Sequence, residues 1–171
     1  MLFIRAQGID EREVETGREA KSESAEQTFS EDSLDKDFLK RRLLAHAERV
    51  GAHIRARNKS ARTVTLKIKY ADFRQLTRSH TLPRRICSTE SIFAVACGLL
   101  DALELEAPVR LIGLGVSRFE EEPEQLQLGF DMDSGHEEQR RERLDQALDG
   151  IRIRFGKKVL VRGCLLGLDW D

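Results

Sequence analysis

Cysteine is scarce and odd in number. Cys87, Cys97 and Cys164 show no CxxC spacing, which argues against a disulfide scaffold or a zinc site and for a reducing compartment. Long hydrophobic runs are missing too. No stretch approaches the ~18 apolar residues of a membrane span, and Leu2-Phe3-Ile4 meets Arg5 at once, too soon for a secretory h-region. The familiar catalytic patterns are also absent: there is no Ser-His-Asp arrangement, Gly-rich phosphate loop or HExxH. Asp131 and Asp133 form one short acidic pair in a polar stretch, which is no two-metal site. His46, His53, His80 and His136 are scattered, and the first two lie two turns apart on one helix, too far apart for one metal without other ligands. The sequence thus offers no catalytic constellation of its own and calls for no cofactor.

What is present is charge. Of 171 residues, 40% are hydrophobic and 35% charged, the profile of one domain with solvated helix or tail rather than packed core throughout. The formal net charge of −1 hides blocks. Residues 1–35 carry a net −6, residues 36–85 a net +12, and residues 101–145 a net −8. A strongly basic centre between acidic flanks suits a polyanion partner. It equally suits a solvated helix face paired with those flanks, so the placement of the charges decides.

The apolar cluster at residues 2–4 has no helix cap before it, as if it lay inside an earlier element. Gly8 reads as a helix C-cap and residues 10–20 as a charged linker. Residues 21–30 (KSESAEQTFS) predict a strand. Ser30, Asp32 and Ser33 offer caps for a helix whose apolar face is Phe38, Leu39, Leu43, Ala47, Val50 and Ile54, with Lys36, Lys40, Arg41, Arg42, Arg49 and Arg55 opposite. Residues 61–71 (ARTVTLKIKYA) alternate with period two. Val64, Leu66, Ile68 and Tyr70 share one side, and Thr63, Thr65, Lys67 and Lys69 the other. Residues 74–82 predict the second arm of a hairpin, stopped by Pro83. Residues 88–105 predict a second amphipathic helix on Ile92, Phe93, Ala96, Leu99, Leu100 and Leu103, and residues 109–118 a last strand. After an acidic break at 120–124, residues 131–142 read as a linker. Leu144, Leu148, Ile151 and Phe155 then resume helical spacing.

The order β-α-β-β-α-β predicts an α+β fold: a four-stranded antiparallel sheet with both helices on one face, plus a helical C-terminal tail. The other sheet face stays open. Hydroxyl and ammonium groups at alternate positions make poor core and good phosphate contacts.

At this point the residues resemble a family. TVTLKIKYADFRQLTRSHTL is similar to the hairpin of the little-finger domain of Y-family DNA polymerases, the polymerase IV branch. RAQGIDEREVETGREAKSESAEQTF resembles the end of the thumb, the linker and the first little-finger strand. PVRLIGLGVSRF resembles the last strand, and RLDQALDGIRIRFGKKVL the tail of many bacterial members. The resemblance implies a division into thumb end and linker (1–20), little finger (21–120), clamp-binding peptide and linker (121–135) and helical tail (136–171). It implies a monomeric, non-membrane, bacterial cytoplasmic chain, associated with the nucleoid, that grips primed or damaged DNA without performing chemistry. The catalytic palm and its Mg2+ would precede residue 1, making this chain the C-terminal part of a translesion polymerase.

By position in the family pattern, the phosphate contacts fall on Lys21 and Ser22, on Thr65, Lys67 and Lys69, on Thr77, Arg78 and Ser79, and on Arg110 and Arg118. Gly115 departs from the pattern, since some members carry a basic residue there. Arg78 is out of phase with Thr77 and Ser79 and needs a bulge to share their face. QLQLGF resembles the peptide with which bacterial polymerases dock on the sliding β clamp, with Gln125 leading and Leu126, Leu128 and Phe130 as apolar anchors. Two other readings stay open: a non-catalytic interaction domain without DNA affinity, and a stand-alone accessory protein that competes for the clamp.

Overall fold

The computed structural model describes residues 7–8, 20–121 and 132–168, with backbone alone for 120–121 and 132–136. In chain order the elements are β1 (Ser22–Ser33), α1 (Lys36–Arg55), β2 (Lys59–Tyr70), β3 (Gln75–Ile86), α2 (Thr89–Asp101), β4 (Val109–Glu121), α3 (Met132–Phe155) and a 3-10 turn at Gly163–Leu165. The strands form one antiparallel sheet in the order β1-β4-β2-β3, the α+β arrangement expected from the sequence. The apolar cluster before Arg5, expected to end an earlier element, lies outside the described residues, as does the QLQLGF peptide.

Period and cap explain each element. In α1 the predicted stripe is the buried one: Leu39, Leu43, Ala47, Val50 and Ile54 are all at most 1% exposed. The Asp35 carboxylate caps the helix by accepting from the Asp37 and Phe38 amides, satisfying two donors that the first turn leaves open. Ser88 does the same for α2 by accepting from the Ser91 amide. Ile92, Ala96 and Leu100 of α2 join the α1 stripe and the inward residues of β2 and β4 in one core.

Pro83 does not stop β3. The strand continues to Ile86 because β3 is the outer strand of the sheet, where one missing amide donor is tolerated. Pairing with β2 shifts between Ala61 and Thr63, and Arg62 spans the irregularity by donating to the carbonyls of Leu82 (3.2 Å) and Pro83 (3.0 Å).

His46 is 7% exposed on α1. Burial holds its imidazole down to about 4, against a backbone hydrogen bond at Ile112 that pulls the other way. The fold therefore favours the neutral ring. Stability is complete above about pH 6.5, where an unfolded His is also neutral, and declines as pH falls from there toward about 4. A displacement of this size corresponds to roughly 3 kcal/mol. Urea unfolding at pH 7 and pH 4.5 should show that loss in the parent chain, and His46→Leu should remove this component of it.

The C-terminal region differs most from expectation. Residues 131–142 were expected to be a linker, yet α3 runs from Met132 to Phe155. The spacing of Leu144, Leu148, Ile151 and Phe155 marks the helix better than its docked face: Leu148 is half-buried, but the other three side chains are 56%, 37% and 62% exposed. Ion pairs dock α3 instead. Arg55, expected on the wet face of α1, is only 7% exposed at its side chain and donates to Asp149 (2.8 Å), Asp145 (3.2 Å) and the Cys87 carbonyl (2.7 Å). Asp145 also accepts from the Thr89 amide at 2.6 Å, placing a carboxylate at the N-terminus of α2, where the helix dipole favours it. Glu48 of α1, 6% exposed, accepts from Arg152 and Arg162. Gly51 makes room for this network, since a Cβ there would sit 2.8 Å from an Arg55 guanidinium nitrogen. Leu165, fully buried, pins the segment that follows.

Candidate nucleic-acid interface

The face of the sheet turned away from α1 and α2 is defined by strand register. Reading from β1 through β4 and β2 to β3, its cross-strand rows are Ser22–Ser117–Thr63–Thr81, then Ser24–Gly115–Thr65–Ser79, then Glu26–Gly113–Lys67–Thr77, then Thr28–Leu111–Lys69–Gln75. Hydroxyls and ammonium groups dominate it. The face extends roughly 20 Å along β4 at the strand rise of about 3.4 Å per residue. Its groups are short or held close to the sheet: Thr63 and Thr81 share a hydroxyl hydrogen bond at 2.9 Å. Gly113 and Gly115 leave the centre of the face low.

Most of the residues singled out in the sequence converge here. Thr65, Lys67, Lys69, Thr77 and Ser79 occupy adjacent rows, and Ser22 stands at the β1 end. Lys21, exposed, immediately precedes it. Arg110 and Arg118 bracket the face at opposite ends of β4. Arg118 takes a left-handed backbone (φ 57°), and alternation breaks there: Phe119 packs on the core although Ser117, two residues earlier, belongs to the open face. Arg78 is not brought in. It pairs with the buried Leu66, with no bulge between Thr77 and Ser79, so it lies on the helix side of the outer strand and donates to the Thr77 carbonyl at 3.1 Å.

Sequence reasoning missed Glu26. It is the one acid in the rows, two strands from Lys67, and the intervening Gly113 has no side chain to separate them. The Lys67 ammonium reaches the Glu26 carboxylate at 2.7 Å. A Cβ at position 113 would lie 3.0 Å from the Glu26 Cβ and 3.5 Å from that of Lys67. Period-two reading of residues 21–30 places Glu26 on the open side, but only sheet order shows that its neighbour across a glycine is Lys67. Among the described residues no group of three His, Cys, Asp or Glu side chains could hold a metal ion. No described helix is long and apolar enough to cross a membrane.

The chain matches the impB/mucB/samB family C-terminal domain over residues 20–128. It is 38% identical over 157 residues to a DNA polymerase IV of Dehalococcoides mccartyi (strain CBDB1), covering 91% of this chain and 39% of the relative. It is 42% identical over 120 residues to a DNA polymerase IV of Xanthomonas euvesicatoria pv. vesicatoria (strain 85-10), covering 69% and 33%. The chain thus spans about two fifths or less of these relatives' length. In fold it is similar to Dbh DNA polymerase, solved as an insertion ternary complex, with a TM-score of 0.55 and 19% identity over 71% of this chain and 35% of that one. With its four-stranded sheet and two covering helices, the chain belongs to the impB/mucB/samB C-terminal domain family and corresponds to the little-finger part of Y-family DNA polymerases of the polymerase IV type.

Proposed function

We propose that this chain grips the backbone of primer–template DNA with the open face of its sheet, as the little-finger part of a translesion polymerase whose nucleotidyl transfer resides in a palm outside this sequence. One observation carries the reading: the register aligns Thr65, Lys67, Lys69, Thr77 and Ser79 in neighbouring rows on a face that no described helix covers. Hydroxyls give short hydrogen bonds to phosphate oxygens, and ammonium groups release counterions when they neutralise phosphates. Such contacts position a duplex without reading its bases. The likeness of Gln125, Leu126, Leu128 and Phe130 to a clamp-docking peptide supports a second partner, the sliding β clamp. The chain acts as a monomer in the bacterial cytoplasm, at the nucleoid, on primed or damaged DNA.

Fluorescence anisotropy with a labelled primer–template duplex across a salt series tests the grip. Affinity should fall with salt at a log–log slope of about −0.9 per neutralised phosphate, and show no sequence preference. Glu26→Gln should tighten binding several-fold and steepen the slope by about one unit, because it removes a like charge from the phosphates and frees the Lys67 ammonium. No binding at low salt would favour the interaction-domain reading.

A further inference from the structure

The turn between β2 and β3 holds an unusual residue for its backbone. Phe73 has φ +67°, a left-handed conformation that disfavours bulky side chains and admits glycine freely. The turn around it is tightly built. The Phe73 amide donates to the Tyr70 carbonyl at 2.9 Å, and the Tyr70 amide to the Arg74 carbonyl at 2.9 Å. Asp72 accepts from the Arg74 amide and from its guanidinium. The ring adds little core, being 60% exposed. It does carry two cations: the Lys69 ammonium lies 4.8 Å from its centroid and the Arg110 guanidinium 5.0 Å. Lys69 belongs to the last row of the open face, and Arg110 adjoins Leu111 of that same row.

We propose that Phe73 is a positioning residue for DNA binding, a ring that pre-orders Lys69 and Arg110 for phosphate at the hairpin end of the open face. The inference rests on the DNA-backbone reading above. Long cationic side chains lose rotamer freedom when they engage phosphate, and a ring that already confines them reduces that loss. The backbone strain at Phe73 accords with this role, since strained conformations persist where the side chain is needed. Arg110 also lies 4.0 Å from the Asp32 carboxylate, at the outer limit of an ion pair, so the ring adds a second constraint on the same guanidinium.

The test is a double-mutant cycle read by duplex anisotropy. Phe73→Gly relieves the left-handed strain, so its thermal midpoint should stay within a few degrees of the parent's while duplex affinity falls about fivefold. Phe73→Tyr, which keeps the ring, should bind as the parent does. In a Lys69→Gln/Arg110→Gln background, Phe73→Gly should have almost no further effect, because the ring acts through those two cations. Should Phe73→Gly unfold the hairpin, Phe73→Leu takes its place in the cycle with the same expectation. Equal affinity of the parent and Phe73→Gly overturns the inference and leaves the backbone grip standing. So does full additivity in the double background, or loss of binding in Phe73→Tyr. A parent chain that does not bind duplex overturns both.

Discussion

Lys67→Glu combined with Lys69→Glu should lower duplex affinity by roughly a hundredfold at about 50 mM salt and remove about two units of salt slope. Both side chains project from β2 into adjacent rows of the open face, opposite Thr77 and Gln75 of β3, so the two reversals change the charge of one continuous patch. Reversal also sets a new carboxylate opposite Glu26, which already faces position 67 across Gly113. The fold should survive, because β2 turns its apolar residues Val64, Leu66 and Ile68 to the other side, all at most 1% exposed. Urea unfolding within about 1 kcal/mol of the parent, beside the affinity loss, separates the electrostatic effect from misfolding. As a control on the helix side of the sheet, Arg78→Glu should change binding much less.

Arg55→Ala should cost about 3–5 kcal/mol, the range for removing one partner of a buried charge pair. The guanidinium joins three elements: α1, on which it stands, α3 through Asp145 and Asp149, and the start of α2 through the Cys87 carbonyl and the Thr89 hydroxyl. Its loss leaves Asp145 buried at 4% exposure, with Arg162 at 3.5 Å as the remaining cation. The Cys87 thiol, whose ionisation burial and the neighbouring Glu142 push up, donates to Glu142 at 3.2 Å and cannot replace the charge. Limited proteolysis should then cut within residues 132–168 at protease levels that leave the parent intact. The double variant Arg55→Leu/Asp145→Leu should recover part of the loss, since it removes the more buried of the two carboxylates that Arg55 pairs with and leaves only Asp149, whose side chain is 19% exposed and open to water.

The residues explain where the sequence was legible. Alternation in ARTVTLKIKYA and the apolar stripe of α1 report burial against a common core, and burial is what periodicity measures. These elements, the sheet class and the grouping of Thr65, Lys67 and Lys69 follow directly. Four features escape that logic. The docked face of α3 shows no apolar stripe because it is acidic, with Asp145 and Asp149 meeting a basic residue of α1 that looks solvated in sequence. Pro83 breaks strands only where its amide is needed, and strand order alone shows that β3 is an edge. The Glu26–Lys67 pair depends on β4 lying between β1 and β2 with a glycine at the crossing, a long-range fact that no local window contains. Phe73 stood in plain view in YADFRQ, yet its exposure and its two cations come only from the turn's left-handed backbone.

Duplex DNA is proposed to lie on the open face of the sheet. Backbone amide NMR during titration with a primer–template duplex tests it most directly. The shifts should concentrate on Ser22, Ser24, Thr63, Thr65, Lys67, Lys69, Thr77, Ser79 and the turn at 71–74, and leave α1, α2 and α3 nearly unmoved. Shifts centred on the helices, with the four cross-strand rows unchanged, would contradict it.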